Sequence, residues 1–468
     1  MLKLSSLLNS AQSPEVIVHL CKKILPKIRN GHRYNLTQAD RFGLPGESAE
    51  MTIRENSSCT DGKYGFWQFL AILAMLFPTA LWSATTTSTG VVTNPLNLEP
   101  AVRQAYQQFY ILDYDGALSQ FEKVQALHPA EPLAIDYILY VTLFRELYRL
   151  DLLDTTFYAH DGFLTGKHKP TPADPAVQSK INQLAQQAIA LANQHIKTDP
   201  KDVDAIFARG WARSLSALYA GLVNRAFVGA LHQAIEARSD HEKVLQLSPQ
   251  YVDAKLVVGV HQYVVGSLPF TFKLVAGIAG ITGSKSKGIS ELEDAGNRGI
   301  ITSVEARTAL ALFLRREANY KDGVVMMRSL CDEYPRDFLF CLEVANLTKD
   351  DGDGPKAIGE YRTLIRQAER PGYFPSAHLE LAWFGLAEAL RGQKDYQEAA
   401  SAYDQAAAQP SVSAELRGRC VLNAGEMYDL LQERDRAQER YQAVVQNYAD
   451  SNQADSARRY LKSRFTGP

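Results

Sequence analysis

The sequence predicts an all-α fold, a solenoid of stacked helical hairpins, and three observations carry that expectation. The first is a spacing that recurs: Tyr114, Ala117, Phe121, Val124 and Pro129 share their offsets with Tyr320, Gly323, Met327, Leu330 and Pro335. Tyr396, Ala399, Tyr403, Ala406 and Pro410 repeat them with the proline one residue early. Steps of three and four put these side chains on one helix face, where the small residue lets a neighbouring helix approach and the aromatic fills the space beside it. A hairpin with such a face cannot bury it alone, so the units must stack. The second observation is punctuation: Pro129, Pro200, Pro249, Pro335 and Pro410 each end a second helix, and the next helix opens near an Asp or Ser. The third is the period. Gly323 to Ala357 is 34 residues, while the 42 from Ala357 to Ala399 and the 38 from Ala399 to Ala437 contain insertions at 370–375 and 411–415.

One elongated body is therefore expected, although 468 residues would otherwise suggest two or three globular domains. The formal net charge of -2 exerts no pull toward nucleic acid or an anionic membrane surface, so neither is an expected partner on charge grounds. Five scattered cysteines make no disulfide scaffold and no zinc knuckle. Cys331 and Cys341 are near enough to bridge in an oxidising compartment, but small buried hydrophobes are the favoured reading for both, as for Cys420.

In chain order, residues 1–63 are a polar segment expected to lack fixed structure, and residues 64–84 a signal peptide or transmembrane anchor. Tyr64 to Leu98 carries no charge, and its apolar heart from Phe66 to Trp82 suits a signal-peptide core and is marginal for a span of about 20 residues. Arg54 and Lys63 precede it and no basic residue follows until Arg103, which leaves the N-terminal side in the cytoplasm and sends the rest across the membrane. A signal segment belongs near its initiating methionine, so Met51 is the expected start and residues 1–50 an over-extended gene start. Cleavage after Ala84 would put bulky Trp82 where a small residue is wanted, which keeps an uncleaved anchor open. The expected location is the periplasm or cell envelope of a bacterium.

Residues 85–98 read as a linker and 99–300 as diverged helical repeats. Within the latter, 101–112 and 114–127 form a first hairpin, 133–152 a strongly apolar helix, and 161–173 an interruption marked by Gly162, Gly166, Pro170 and Pro172. Helices over 177–197, 203–222 and 226–247 follow, and an apolar helix then leads into a glycine-spaced hairpin. Residues 301–464 are the regular array.

The unit Trp383, Leu386, Ala387, Leu390, Ala399, Tyr403, Ala406, Pro410 resembles a tetratricopeptide repeat almost position for position. Gly425, Tyr428, Ala437, Tyr441 and Val444 resemble another, with Val421 for the usual Trp and Ala449 for the closing Pro; Ala345, Ala357, Tyr361 and Leu364 form a weaker one. The resemblance covers 100–130 and 303–464 well and 175–265 loosely. It implies a right-handed superhelix whose first helices line a concave groove that binds a protein or peptide. Carried over position by position, the groove residues are Arg315, Asn346, Lys349, Phe384, Glu388, Arg391, Arg419, Glu426 and Asp429. Leu342 stands where clamp-type repeats place a lysine, so the implied ligand is an extended or helical segment rather than a C-terminal carboxylate. A second resemblance, over 259–299, is to Iml2-type tetratricopeptide proteins, and implies a hydrophobic hairpin closing the middle of the array.

Candidate chemistry is thin. Gly277, Gly280, Gly283 and Gly288 around Ser284-Lys285-Ser286-Lys287 invite a phosphate-loop reading, but the spacing is one residue too long and Ser stands where the Lys belongs. A close-packed turn is the expectation, with a lipid or apolar-ligand contact over 264–283 as the alternative function. His232, Glu236 and Asp240 fall at steps of four beside His241, a metal-like set for which a solvated polar helix face is the default reading. Asp350, Asp351 and Asp353 have the composition of a calcium loop without its closing Glu. No HExxH, GxSxG or Cys/His nucleophile arrangement occurs, so neither catalysis, cofactor nor metal is expected. The chain reads as an exported or membrane-anchored scaffold for protein–protein interaction.

Overall fold

The computed structural model describes residues 90–159, 173–268 and 282–467. The polar N-terminus, the expected signal or anchor at 64–84, and 269–281 of the glycine-spaced hairpin lie outside them. The described residues contain seventeen α-helices and no strand, and none of these helices is long and apolar enough to cross a membrane.

Sixteen of them pair in sequence order: α1 (Pro100–Phe109) with α2 (Tyr114–Leu127), α3 (Pro132–Arg149) with α4 (Pro175–Thr198), and α5 (Val203–Leu222) with α6 (Phe227–Leu247). Next come α7 (Lys255–Ser267) with α8 (Lys285–Arg298), α9 (Ser303–Arg316) with α10 (Tyr320–Glu333), and α11 (Phe338–Asp350) with α12 (Gly354–Ala368). The array closes with α13 (Leu379–Gly392) and α14 (Tyr396–Ala408), α15 (Ala414–Leu430) and α16 (Arg434–Asn447), and a final helix α17 (Asn452–Lys462). Each of Pro129, Pro200, Pro249, Pro335 and Pro410 lies two residues past the end of a second helix, as the punctuation required.

The turn inside most hairpins is built one way. Leu112, Ala318, Gly352, Lys394 and Gln432 all adopt positive φ, between 57° and 88°, two residues before a second helix. The next N–H then reaches back to the end of the first helix, Asp113 to the Gln108 carbonyl at 3.0 Å and Asp395 to that of Leu390 at 3.0 Å, which satisfies carbonyls that the helix leaves open. Asp113, Asp353 and Asp395 also cap the new helix, their carboxylates accepting from the N–H groups of Gly116, Lys356 and Glu398. Asp353 is therefore a helix cap and Gly352 a turn residue; the calcium-like composition is the chemistry of this turn.

Between the two helices of a hairpin the recurring aromatic is fully buried: Phe121, Tyr361, Tyr403 and Tyr441 are each 0% exposed, as are Ala117, Ala357, Ala399 and Ala437. A neighbouring first helix makes room with glycine, α13 of the next hairpin for Tyr361 and α15 of the same hairpin for Tyr441. A Cβ on Gly385 would lie 2.5 Å from the Tyr361 ring and one on Gly425 2.7 Å from that of Tyr441.

Helix α3 departs from this scheme. Fourteen of its 18 residues are buried, around most of its circumference, and Arg145 and Arg149 near its C-terminal end are the exposed ones, so no single neighbour can cover it. Tyr137 stacks on Phe121 of α2 at 4.8 Å, Tyr140 lies 4.6 Å from Phe109 of α1 and 6.1 Å from Trp211 of α5, and Tyr148 lies 4.2 Å from the His378 ring just before α13. The Glu305 carboxylate on α9 accepts from both Tyr110 and Tyr140 hydroxyls. The first repeats are thus packed against the first helices of later ones.

The α7–α8 hairpin is backbone against backbone. A Cβ on Gly288 would sit 2.6 Å from the Tyr263 amide and 2.7 Å from the Gly259 carbonyl, and one on Gly283 2.6 Å from the Gly266 amide. The described glycines here serve close packing, as the sequence suggested. Asp253 anchors the far end: its Oδ1, fully buried, accepts from the amides of Ile300, Ile301 and Thr302 and from the Thr302 hydroxyl.

Cys331 and Cys341 form a disulfide across the α10–α11 turn, which corrects the reading of both as buried thiols; Cys420 is a buried free thiol. The two residues are brought together because Pro335 ends α10 and the chain reverses within ten residues.

Two stability outcomes follow from this packing. Gly288→Ala forces apart two backbones and is expected to lower unfolding free energy by about 2 kcal/mol or more, whereas Gly359→Ala, mid-helix with nothing within 4 Å of its new Cβ, should raise it by roughly 0.5–1 kcal/mol; urea denaturation of the two variants checks both signs. Cys331→Ser with Cys341→Ser opens a loop of sequence separation 10 and should cost about 2–3 kcal/mol, with reductant changing the wild-type transition but not that of the double variant.

Candidate functional site

The nine residues carried over as groove-lining do lie on first helices, and the structure divides them. Arg315, on α9, is 3% exposed. Its guanidinium holds Glu343 at 2.8 Å and Asp350 at 2.5 Å and donates to the Thr155 hydroxyl at 2.7 Å. Thr155 opens a 3-10 turn (Thr155–Tyr158) that follows α3, and Arg316 also donates to its Tyr158 carbonyl. The chain itself thus covers this stretch of first-helix face. The Glu343 carboxyl is raised by burial, which Arg315 opposes.

Asn346 and Glu388 meet the tyrosine of their own hairpin: the Tyr361 hydroxyl donates to Asn346 at 2.6 Å, and that of Tyr403 to Glu388. Asp429 does the same for Tyr441 at 2.9 Å, accepts both bonds from Arg434, and takes the Phe465 amide at 2.8 Å. Arg391 pairs with buried Glu426 at 3.2 Å and lies over the Phe465 ring. Arg315, Asn346, Glu426 and Asp429 are buried, while Lys349, Phe384, Glu388 and Arg391 are half-buried and Arg419 is exposed. Arg419 stacks its guanidinium 4.8 Å over the Phe384 ring. Asn423, which the positional rule passed over, donates to Glu388 at 3.3 Å and extends this patch between α13 and α15.

A second cluster escaped the sequence entirely. Asp151 follows α3, at positive φ 57°, in the position that the other hairpins use for their tight turn; the Leu152 amide reaches back to the Leu147 carbonyl at 2.9 Å. Yet α4 does not begin until Pro175. Asp151 Oδ1 lies 2.5 Å from His378 Nδ1, and Glu380 Oε1 3.2 Å from the same nitrogen. Glu380 is fully buried, and its Oε2 accepts from the Ser411 hydroxyl at 2.5 Å. Burial works against the imidazolium, but the two carboxylates outweigh it and hold the His378 pKa up at about 9. Asp151 and His378 are 227 residues apart, and nothing in local spacing could link them.

The metal-like set on α6 resolves differently. Asp240 is held by Arg209 at 2.6 Å and Arg213 at 2.6 Å, and exposed His232 pairs with Glu236 one turn on, at 3.4 Å. His241 points inward, fully buried against the Phe207 ring, and neither ring nitrogen finds a hydrogen-bond partner of good geometry among the described residues.

Residues 381–410 and 419–451, which span α13 to α16, match the family model for the tetratricopeptide repeat. These units are tetratricopeptide repeats. Similar solved structures include a tetratricopeptide repeat protein from Parabacteroides merdae, at 13% identity over 70% of this chain and 99% of that one, with a TM-score of 0.31. TTC0263, a tetratricopeptide protein of Thermus thermophilus, aligns at 15% identity over 53% of this chain and 96% of its own, with a TM-score of 0.30. The human IFIT1 dimer with PPP-AAAA aligns at 13% identity over 76% of this chain and 79% of its own, with a TM-score of 0.37. No curated protein matches the chain.

Burial lowers the His241 pKa to about 4. Above pH 6.5 the ring is neutral in both states; between about 6.5 and 4 the unfolded chain takes up a proton that the native state refuses, so stability falls as pH falls, by roughly 3 kcal/mol across the window. His241→Met should remove that dependence, and denaturant midpoints of both proteins at pH 7.5, 6 and 5 measure the difference.

Proposed function

We propose that this chain is a non-enzymatic scaffold that binds a protein partner along the exposed first-helix face of its C-terminal tetratricopeptide repeats. The observation that carries this reading is the Phe384–Arg419 pair: an aromatic and an exposed cation held together on α13 and α15, where the first-helix face is not closed by the chain's own described segments. Aromatic and Arg side chains are the usual anchors of protein contacts. Upstream, the equivalent face is taken by the turn at Thr155–Tyr158, and at the far end by Phe465. A partner segment therefore has a short surface to lie on, with Glu388 and Asn423 beside it as polar partners.

Export or membrane anchoring is the second part of the proposal. It rests on the charge-free stretch from Tyr64 to Leu98 and on the Cys331–Cys341 disulfide, since structural disulfides persist in oxidising compartments and are rare in reducing ones.

Phe384→Ala with Arg419→Glu should leave the unfolding transition within about 1 kcal/mol of wild type and abolish crosslinks between the chain and its partner in a cell-envelope fraction. Partner crosslinks that survive both changes would place the binding face elsewhere. Fractionation of the protein's own cells tests the export reading, which fails if the chain is recovered in the cytoplasmic fraction alone.

A further inference from the structure

Asp151, His378 and Glu380 converge on one point, and the proton count there is short. Neutral or charged, His378 carries at most one hydrogen on Nδ1. Two carboxylate oxygens face that nitrogen, at 2.5 Å and 3.2 Å, so only one of them can be satisfied. Asp151 takes the hydrogen bond, and Glu380 Oε1, in a side chain with 0% exposure, keeps only the ion-pair contact to the same nitrogen, with no hydrogen bond of its own. A buried anionic oxygen without a donor is costly, and such atoms mark sites that take a cation.

We propose that Asp151, His378 and Glu380 form a binding site for a divalent transition-metal ion of the zinc class. One imidazole nitrogen and two carboxylate oxygens are a mixed set that suits Zn2+ or Mn2+, and three protein ligands leave a position for water. The three donor atoms lie within 4.8 Å of one another. Zinc bound at about 2.0–2.2 Å from each holds its ligand atoms roughly 3.3 Å apart. Glu380 and His378 are already at that separation, and Asp151 has to withdraw by about 1 Å, the difference between its 2.5 Å contact and that spacing. It is the one ligand that follows a helix end rather than preceding or opening one.

The surroundings are those of a held ligand set. Ser411, from the loop before α15, donates to Glu380 Oε2 at 2.5 Å and fixes the carboxylate's rotation, as outer partners of metal ligands do. The Tyr148 ring, 4.2 Å from the imidazole, walls one side. The ligands come from early and late repeats of the array, so the ion would tie the turn after α3 to the start of α13.

The test uses the full chain freed of metal with a chelator, titrated with Zn2+ by calorimetry and with Co2+ by visible absorption. One equivalent is expected to bind, with Co2+ giving the absorption bands of nitrogen and oxygen ligation. Asp151→Asn and His378→Ala should each abolish saturable binding, Ser411→Ala should weaken it about ten-fold, and His232→Ala on the exposed face of α6 should change nothing. If His378→Ala does not fold, Asp151→Asn and Ser411→Ala decide the matter alone. Absence of saturable binding, or a stoichiometry unchanged in Asp151→Asn, overturns the proposal and leaves the cluster an ion pair.

Discussion

Helix α3 is apolar over most of its circumference, and the architecture of the described chain depends on hiding it. In an ordinary hairpin array each helix touches its neighbours in sequence and keeps one side for water or for a ligand. With 14 of its 18 residues buried, α3 keeps only a short strip at Arg145 and Arg149. Its covering comes from α1 and α2 behind it, from Trp211 on α5, and from residues as distant as Glu305 and His378. A solenoid that encloses one of its own helices has long-range contacts that a nearest-neighbour stack lacks. Removing an end repeat would then expose apolar surface far from the cut.

The enclosed seam is polar where it meets the later repeats. Glu305 receives two tyrosine hydroxyls, and Arg315 joins Glu343, Asp350 and Thr155. Asp151 and Glu380 meet at His378. Each of these charges has an opposite charge or a donor beside it, which is the condition under which burial is tolerated, and each fixes register in a way that apolar contacts do not. The seam therefore specifies where the first repeats dock. It also covers part of the first-helix face, where the turn Thr155–Tyr158 lies against Arg315 and Arg316 of α9.

Most of the fold is legible in the sequence because its determinants are local. The offsets from Tyr114 to Val124, repeated at Tyr320 and Tyr396, identify the buried face of each second helix, and Ala117, Ala399 and Ala437 are all fully buried. Proline two residues after five of the second helices, and an Asp or Ser cap before α5, α11 and α15, follow from capping and backbone sterics within a few residues. The positional rule that nominated groove residues was partly overtaken by tertiary packing. Asn346 and Asp429 have the right phase to face a ligand, yet each accepts from the tyrosine of its own hairpin, and that pairing runs between helices rather than along one.

That the chain is all-α, that it is built from stacked hairpins, and which side chains fill the space between them can be read from the residues alone, because helix period and turn chemistry act over distances of three to ten residues. The sequence also contains a stretch without charge, Tyr64 to Leu98, on which the proposed export rests. That α3 lies enclosed, that Cys331 reaches Cys341, and that Asp151 meets His378 across 227 residues is set by packing between distant helices. These depend on how the array curves back on itself, and that curvature is the sum of small rotations at every hairpin interface, which no single stretch of sequence records.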